Sequence, residues 1–136
     1  MNNGKDCNVE FSSDNIYDIK CPLIYALEII GQKWKLPIMW YLFDNDFTRY
    51  NELKRKVKGI TNMMLTKSLK ELEEHNLIVR IQYETIPPKV EYDLTERGKA
   101  LLPALRELSR WGEEQIKLDR INQNKIMNHL KSRDSI

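Results

Sequence analysis

A mostly α-helical domain carrying one small β-hairpin is the fold class that three features of the sequence predict. Apolar residues recur at helical spacing across residues 22–75 and again from residue 101 onward. Between those stretches the period drops to two, where Val79, Ile81 and Tyr83, then Val90, Tyr92 and Leu94, alternate with polar neighbours. The chain has 136 residues, 41% hydrophobic and 31% charged, a balance suited to one folded domain.

Each element has its own local reason. Pro22 suits a first helical position, and Leu23, Ile24, Leu27 and Ile30 form a stripe that Gly31 closes. A second helix is predicted over Lys33–Phe43, with Trp34, Ile38 and Leu42 inward and Pro37 in the first turn, where a missing N–H matters least. Asp44-Asn45-Asp46 reads as a turn. A short helix over Tyr50–Val57 turns Leu53 and Val57 inward and Lys54, Arg55 and Lys58 outward, and Gly59 ends it. Thr61 or Asn62 then caps a helix over Asn62–His75 that buries Leu65, Leu69 and Leu72 and exposes Met63, Lys67 and Lys70, with Thr66 to one side. The two alternating segments form an antiparallel hairpin whose loop is stiffened by Pro87 and Pro88. Thr95 caps a long helix carrying Leu101, Leu102, Leu105, Leu108 and Trp111, which Pro103 kinks or interrupts. From Leu118 the pattern weakens. The expected organisation is a flexible segment over residues 1–15, a domain over 16–118 and a helical extension or tail over 119–136.

Several classes of protein are excluded or disfavoured. The longest apolar-rich stretch, Trp34–Phe43, spans about half a bilayer and contains Lys35. The first residues lack the apolar run of a signal peptide, so a cytoplasmic protein without membrane contact is expected. Cys7 and Cys21 are too few for a disulfide framework and are expected to rest reduced. His75 and His129 have no ligand spacing to either, so no metal or other cofactor is expected. No phosphate-binding glycine loop, convergent carboxylate pair or Cys/His arrangement points to catalysis, and the chain reads as a non-enzyme. Trp34, Trp40 and Trp111 read as packing residues.

The net charge of +2 hides an uneven distribution: residues 47–70 carry seven cations against Glu52 alone. That is the electrostatic footprint of a surface for a polyanion. It falls on the third helix, the turn and the first half of the fourth, whereas Glu71, Glu73 and Glu74 occupy the second half. The element order, with a hairpin after the fourth helix, is that of a winged helix-turn-helix with extra helices at both ends. A major groove about 12 Å wide admits one such helix, read through its N-terminal residues.

A run of motifs in order carries a further likeness: Cys21-Pro22, Ala26-Leu27, Ile30-Gly31-Gln32-Lys33-Trp34, Phe47 with Asn51-Glu52-Leu53, Gly59-Ile60-Thr61, Leu65 through Leu72, Asn76-Leu77-Ile78, Pro87 through Tyr92, Leu94 through Gly98, and Trp111-Gly112. Over about residues 21–115 the chain resembles the HxlR-type regulators, winged-helix relatives of the MarR type. The resemblance implies a homodimeric transcriptional regulator on a near-palindromic double-stranded operator, with dimer contacts from helices near both termini. It also implies an oxidant or electrophile effector, because some members respond through a cysteine at the position of Cys21. Met63 and Met64 depart from the family's usual polar or basic residues there, which puts the base preference in doubt.

Residues and resemblance together give the candidate sites. Asn62, Met63, Thr66, Lys67 and Lys70 are expected in the major groove, Arg49, Lys54 and Arg55 on phosphates, and Lys89 at the tip of the wing. Leu23, Leu27, Leu105, Leu108 and Trp111, with the small Gly112, are expected to pair across a twofold axis. Cys21 precedes the first helix, whose dipole favours a thiolate, and is read either as a redox switch or as a small buried residue. The alternative to DNA binding is a winged-helix protein-interaction module whose basic face meets an acidic partner.

Overall fold

A computed structural model describes residues 21–134; the segment expected to be flexible, residues 1–15, lies outside the described residues. The described chain runs α1 (Pro22–Ile30), α2 (Lys35–Asp44), α3 (Tyr50–Lys56), α4 (Asn62–Glu74), β1 (Ile78–Tyr83), β2 (Lys89–Leu94), α5 (Glu96–Lys99) and α6 (Leu102–Asp134). This is the predicted class, helical with a single two-stranded antiparallel sheet. The chain divides after Ala100 into two compact units.

The first unit is built around α2, α4 and the hairpin. Ile38, Met39 and Leu42 of α2, Leu53 of α3, and Leu65, Leu69 and Leu72 of α4 are buried together with Ile60 and Ile78. The predicted caps hold. The Thr61 hydroxyl accepts from the Met64 N–H at 3.1 Å, and the Thr95 hydroxyl accepts from the Gly98 N–H at 3.1 Å. Gly59 sits at φ +89°, a left-handed conformation that lets the chain leave α3 and enter α4 without the Cβ clash another residue would meet.

Lys35, the one charge in the apolar stretch Trp34–Phe43, is buried at 2% exposure, because it shares the stripe of Ile38, Met39 and Leu42 at helical spacing. Its Nζ donates to the Ile29 carbonyl at 3.0 Å and pairs with Glu71 Oε2 at 2.9 Å, which ties the end of α1 and the start of α2 to α4. The hairpin is also less regular than its alternation suggested. Ile78 is buried, but Val79 and Tyr83 are exposed, while Glu91, an expected outward residue, is buried beside Lys89 at 2.6 Å. The register pairs Val79, Ile81 and Tyr83 with Asp93, Glu91 and Lys89, so the alternating apolar residues of the two strands lie on opposite faces of the hairpin, and Ile78 rather than Val79 joins Tyr92 and Leu94. Trp40 packs edge-to-face on Phe43, with ring centres 6.4 Å apart, while remaining 41% exposed, and Trp111 is exposed on α6. Cys21 is buried and disulfide-bonded rather than reduced. The compartment argument concerns the surroundings and does not decide whether a second sulfur is brought within bonding distance; Cys7 lies outside the described residues.

A pairing beyond the hairpin completes the unit. Thr48 exchanges both backbone bonds with Tyr92, at 2.9 and 2.7 Å, so the segment before α3 joins the edge of β2. Phe47 adopts φ 51°, a conformation strained for a bulky side chain, to deliver Thr48 into that bridge. Thr48 Oγ1 donates back to the Asn45 carbonyl at 2.7 Å.

In the second unit, α6 is a single helix of 33 residues, about 50 Å long at 1.5 Å per residue. The predicted interruption falls at Ala100–Leu101, and Pro103 lies in the first turn of α6, where it displaces no helical bond. Where the pattern weakens beyond Leu118, the backbone remains helical through Asp134. Among the described residues no helix is long and apolar enough to cross a membrane.

Candidate nucleic-acid interface

The cations of residues 47–70 lie on α3, the turn after it and α4, and the Tyr50 hydroxyl of α3 reaches Asn62 and Thr66 of α4. In α4, burial of Leu65, Ser68, Leu69 and Leu72 fixes the rotation of the helix. The opposite face then carries Asn62, Met63, Thr66, Lys67 and Lys70, all exposed. Met63 is 78% exposed, so it is the surface member of the Met63-Met64 pair, and Met64 is half-buried. The acidic half of the helix is partly neutralised, because Glu71 is committed to Lys35.

The bracing helix is oriented by Leu53, which is fully buried. Arg49 is exposed at its N-cap, Arg55 is exposed on its outer face, and Lys54 is half-buried beside it. Arg49, Asn51, Glu52 and Arg55 line an open surface groove of about 480 Å³. Arg55 approaches Glu52 no closer than 3.9 Å, a loose pair that leaves the guanidinium available. The Tyr41 phenol of α2 has its pKa raised by desolvation and then by the Glu52 charge, so it remains a neutral donor near that carboxylate.

The wing differs from its expected form. Lys89 is not at the tip but is the first residue of β2, with its ammonium on Glu91 and 5.1 Å from the centre of the Tyr83 ring. The tip comprises residues 84–88, which carry no cation, and the exposed cation of β1 is Arg80, held by Gln82 Oε1 at 3.0 Å. Arg80, a polar member of the alternation in β1, is an exposed cation beyond those expected from the sequence.

Tyr50 is a second residue beyond the expected set. It opens α3 in sequence, but its hydroxyl lies 3.1 Å from the Asn62 carbonyl, 3.3 Å from Asn62 Oδ1 and 3.1 Å from Thr66 Oγ1. No local pattern signals a contact that spans twelve and sixteen residues.

The apolar surface expected to join two protomers is largely present on each element taken by itself. Leu23 and Leu27 on α1 are exposed, as are Leu108 and Trp111 on α6, and a Cβ added at Gly112 would meet nothing within 4 Å. Leu105 is different: at 6% exposure it has little apolar surface left to offer. Along α6 the exposed apolar residues continue through Ile116, Ile126, Met127 and Leu130. Cys21 occupies the N-cap of α1, and among the described residues no cluster suited to a metal ion occurs.

Comparison with known proteins agrees with this architecture. Residues 29–120 match the model of the HxlR-like helix-turn-helix family. A putative regulatory protein MalR of Fusobacterium mortiferum is 48% identical over 95 residues, covering 70% of this chain and 90% of that protein. The crystal structure of a putative HTH-type transcriptional regulator, ytcD, superposes with a TM-score of 0.68 at 44% identity, covering 71% of this chain and 97% of the other. The redox regulator HypR in its oxidized form gives a TM-score of 0.65 at 41% identity, covering 69% and 96%.

Proposed function

From the premise that this chain belongs to the HxlR-like helix-turn-helix family of transcriptional regulators, we propose that it binds a near-palindromic operator as a homodimer and reads each half-site with α4. The observation that carries this reading is the exposed face of α4, which carries Asn62, Met63, Thr66, Lys67 and Lys70 opposite its buried leucines. Asn62, Met63 and Thr66 lie at the N-terminal end that reaches base edges, with Lys67 and Lys70 following; Arg49, Lys54 and Arg55 position the helix on phosphates. Arg80 replaces Lys89 as the principal cation of the wing, since the Lys89 ammonium is already engaged. The exposed apolar residues Leu23, Leu27, Leu108 and Trp111, with the uncrowded Gly112, support pairing of α1 and α6 across a twofold axis. The reading includes no catalytic step.

We further infer an oxidant response through Cys21. Its support is the disulfide that Cys21 carries and the likeness to a regulator described in an oxidized form. Opening that disulfide takes two electrons and two protons and frees the residue that precedes α1.

Footprinting on the DNA upstream of the protein's own gene and its neighbours, with and without oxidant, tests the reading. The expected result is protection of two half-sites about one helical turn apart, or a multiple of it, with occupancy that changes on oxidation. Binding of every duplex with equal affinity would overturn it and favour a protein-interaction module.

A further inference from the structure

We propose that Tyr50 fixes the hydrogen-bond polarity of the reading face, so that Asn62 presents a donor and Thr66 an acceptor to the edge of an adenine. The inference rests on the assignment of α4 to the major groove. It adds a specificity-determining residue that lies outside α4.

The argument starts from a count of protons. A phenol has one O–H to donate, and its oxygen can also accept. Three oxygens surround it: the Asn62 carbonyl at 3.1 Å, Asn62 Oδ1 at 3.3 Å and Thr66 Oγ1 at 3.1 Å. Both Asn62 oxygens are acceptors only. If the Tyr50 proton went to Thr66, the phenol oxygen would face two acceptor oxygens with nothing between them. The proton therefore points at Asn62, shared between its two oxygens. Thr66 in turn donates its own proton to the Tyr50 oxygen.

This ordering commits both side chains of α4. The Thr66 hydroxyl has used its proton, so its remaining lone pairs can only accept. The Asn62 amide has its oxygen turned to the phenol, so the other end, Nδ2 with two protons, is the part left to donate. The two residues are four apart and lie on the same face of the helix. They thus offer a donor and an acceptor side by side near the N-terminal end of α4. In the major groove adenine presents an N7 acceptor beside an N6 amine donor, the complement of that pair. Guanine presents two acceptors, N7 and O6, and would leave the Thr66 lone pairs facing O6.

Tyr50 is a positioning residue in this account, acting through Asn62 and Thr66. The test begins with selection of preferred duplexes from a randomised pool by the wild-type protein. Competition binding then follows with each A·T pair of the preferred site replaced by G·C. The wild type should prefer adenine over guanine by about tenfold at one position per half-site, the scale of a well-made base contact. Tyr50→Phe keeps the ring and removes only the hydroxyl, and should reduce that preference to within about twofold while leaving the slope of affinity against salt unchanged. Thr66→Val should abolish the preference at the same position, and adding Tyr50→Phe to it should change nothing further. A Tyr50→Phe protein with wild-type ratios at every position overturns the proposal and leaves the assignment of α4 intact. So does a guanine preference at the position that Thr66→Val affects, an outcome that decides the matter even if Tyr50→Phe folds poorly. A wild-type protein that selects no sequence overturns the assignment of α4 and this inference with it.

Discussion

Removing Glu71 should destabilise the protein more than removing the buried charge it partners. The Lys35 ammonium is 2% exposed and has two partners, the Ile29 carbonyl at 3.0 Å and Glu71 Oε2 at 2.9 Å. Glu71→Ala leaves that ammonium in the interior with a single neutral acceptor. Stranding one member of a buried pair typically costs about 3–5 kcal/mol. Glu71 is 29% exposed, so water can enter the space it vacates, which places the expected loss near the lower bound, about 3 kcal/mol. Lys35→Met acts differently. It removes the charge from the interior, supplies a flexible apolar chain of similar length, and lets the Glu71 carboxylate turn to solvent. What remains is the Ile29 carbonyl at the end of α1 without its donor, worth about 1–2 kcal/mol and partly offset by the apolar chain. Urea unfolding with an unchanged slope is the measurement, supported by a drop in Tm of roughly 10 °C for Glu71→Ala. The double variant, Lys35→Met with Glu71→Ala, should recover about 2 kcal/mol relative to Glu71→Ala alone. If Glu71→Ala proves no worse than Lys35→Met, or the double variant recovers nothing, the argument from stranded charge is wrong.

Three further outcomes are expected. Lys67→Ala should weaken operator binding by about 1–3 kcal/mol and relax sequence preference, measured by competition among duplexes; equal affinity of variant and wild type would remove Lys67 from the interface. Lys54→Ala should weaken all duplexes alike and shallow the plot of log affinity against log salt by about one unit of slope, whereas a sequence-selective loss would make it a base-reading residue. Trp111→Arg with Leu108→Asp places charge on the exposed face of α6 and should convert a dimer to a monomer in sedimentation equilibrium, and an unchanged mass would move the twofold contact elsewhere.

The local rules of the chain made most of the fold legible. Thr61 and Thr95 announce the helices they cap because the capping bond spans only three residues. The rotation of α4 follows from Leu65, Leu69 and Leu72, so its exposed face could be named residue by residue. Lys35 shows where such a reading fails even when a signal is present. Its position on the stripe of Ile38, Met39 and Leu42 marked it as inward, but its charge argued otherwise, and only the approach of Glu71 from α4 resolves the conflict. The bond of Tyr50 to Asn62 and Thr66, and the bridge from Thr48 to Tyr92, had no sequence signal at all. Both join segments whose proximity is a product of the assembled fold. Lys89 was misplaced for a related reason: the register, which pairs Tyr83 with Lys89, sets where the tip begins.

The Thr48–Tyr92 stitch also bears on how this scaffold could diversify. It fastens the root of the hairpin one residue before Arg49, so α3 and the hairpin share a common footing. The outward residues of α4 are not part of that footing. If α4 reads a half-site as proposed, exchanging the outward letters between 62 and 70 would change the sequence recognised without disturbing that footing. On the proposed reading, transplanting those outward positions together with Tyr50 into a related framework should transfer the word being read.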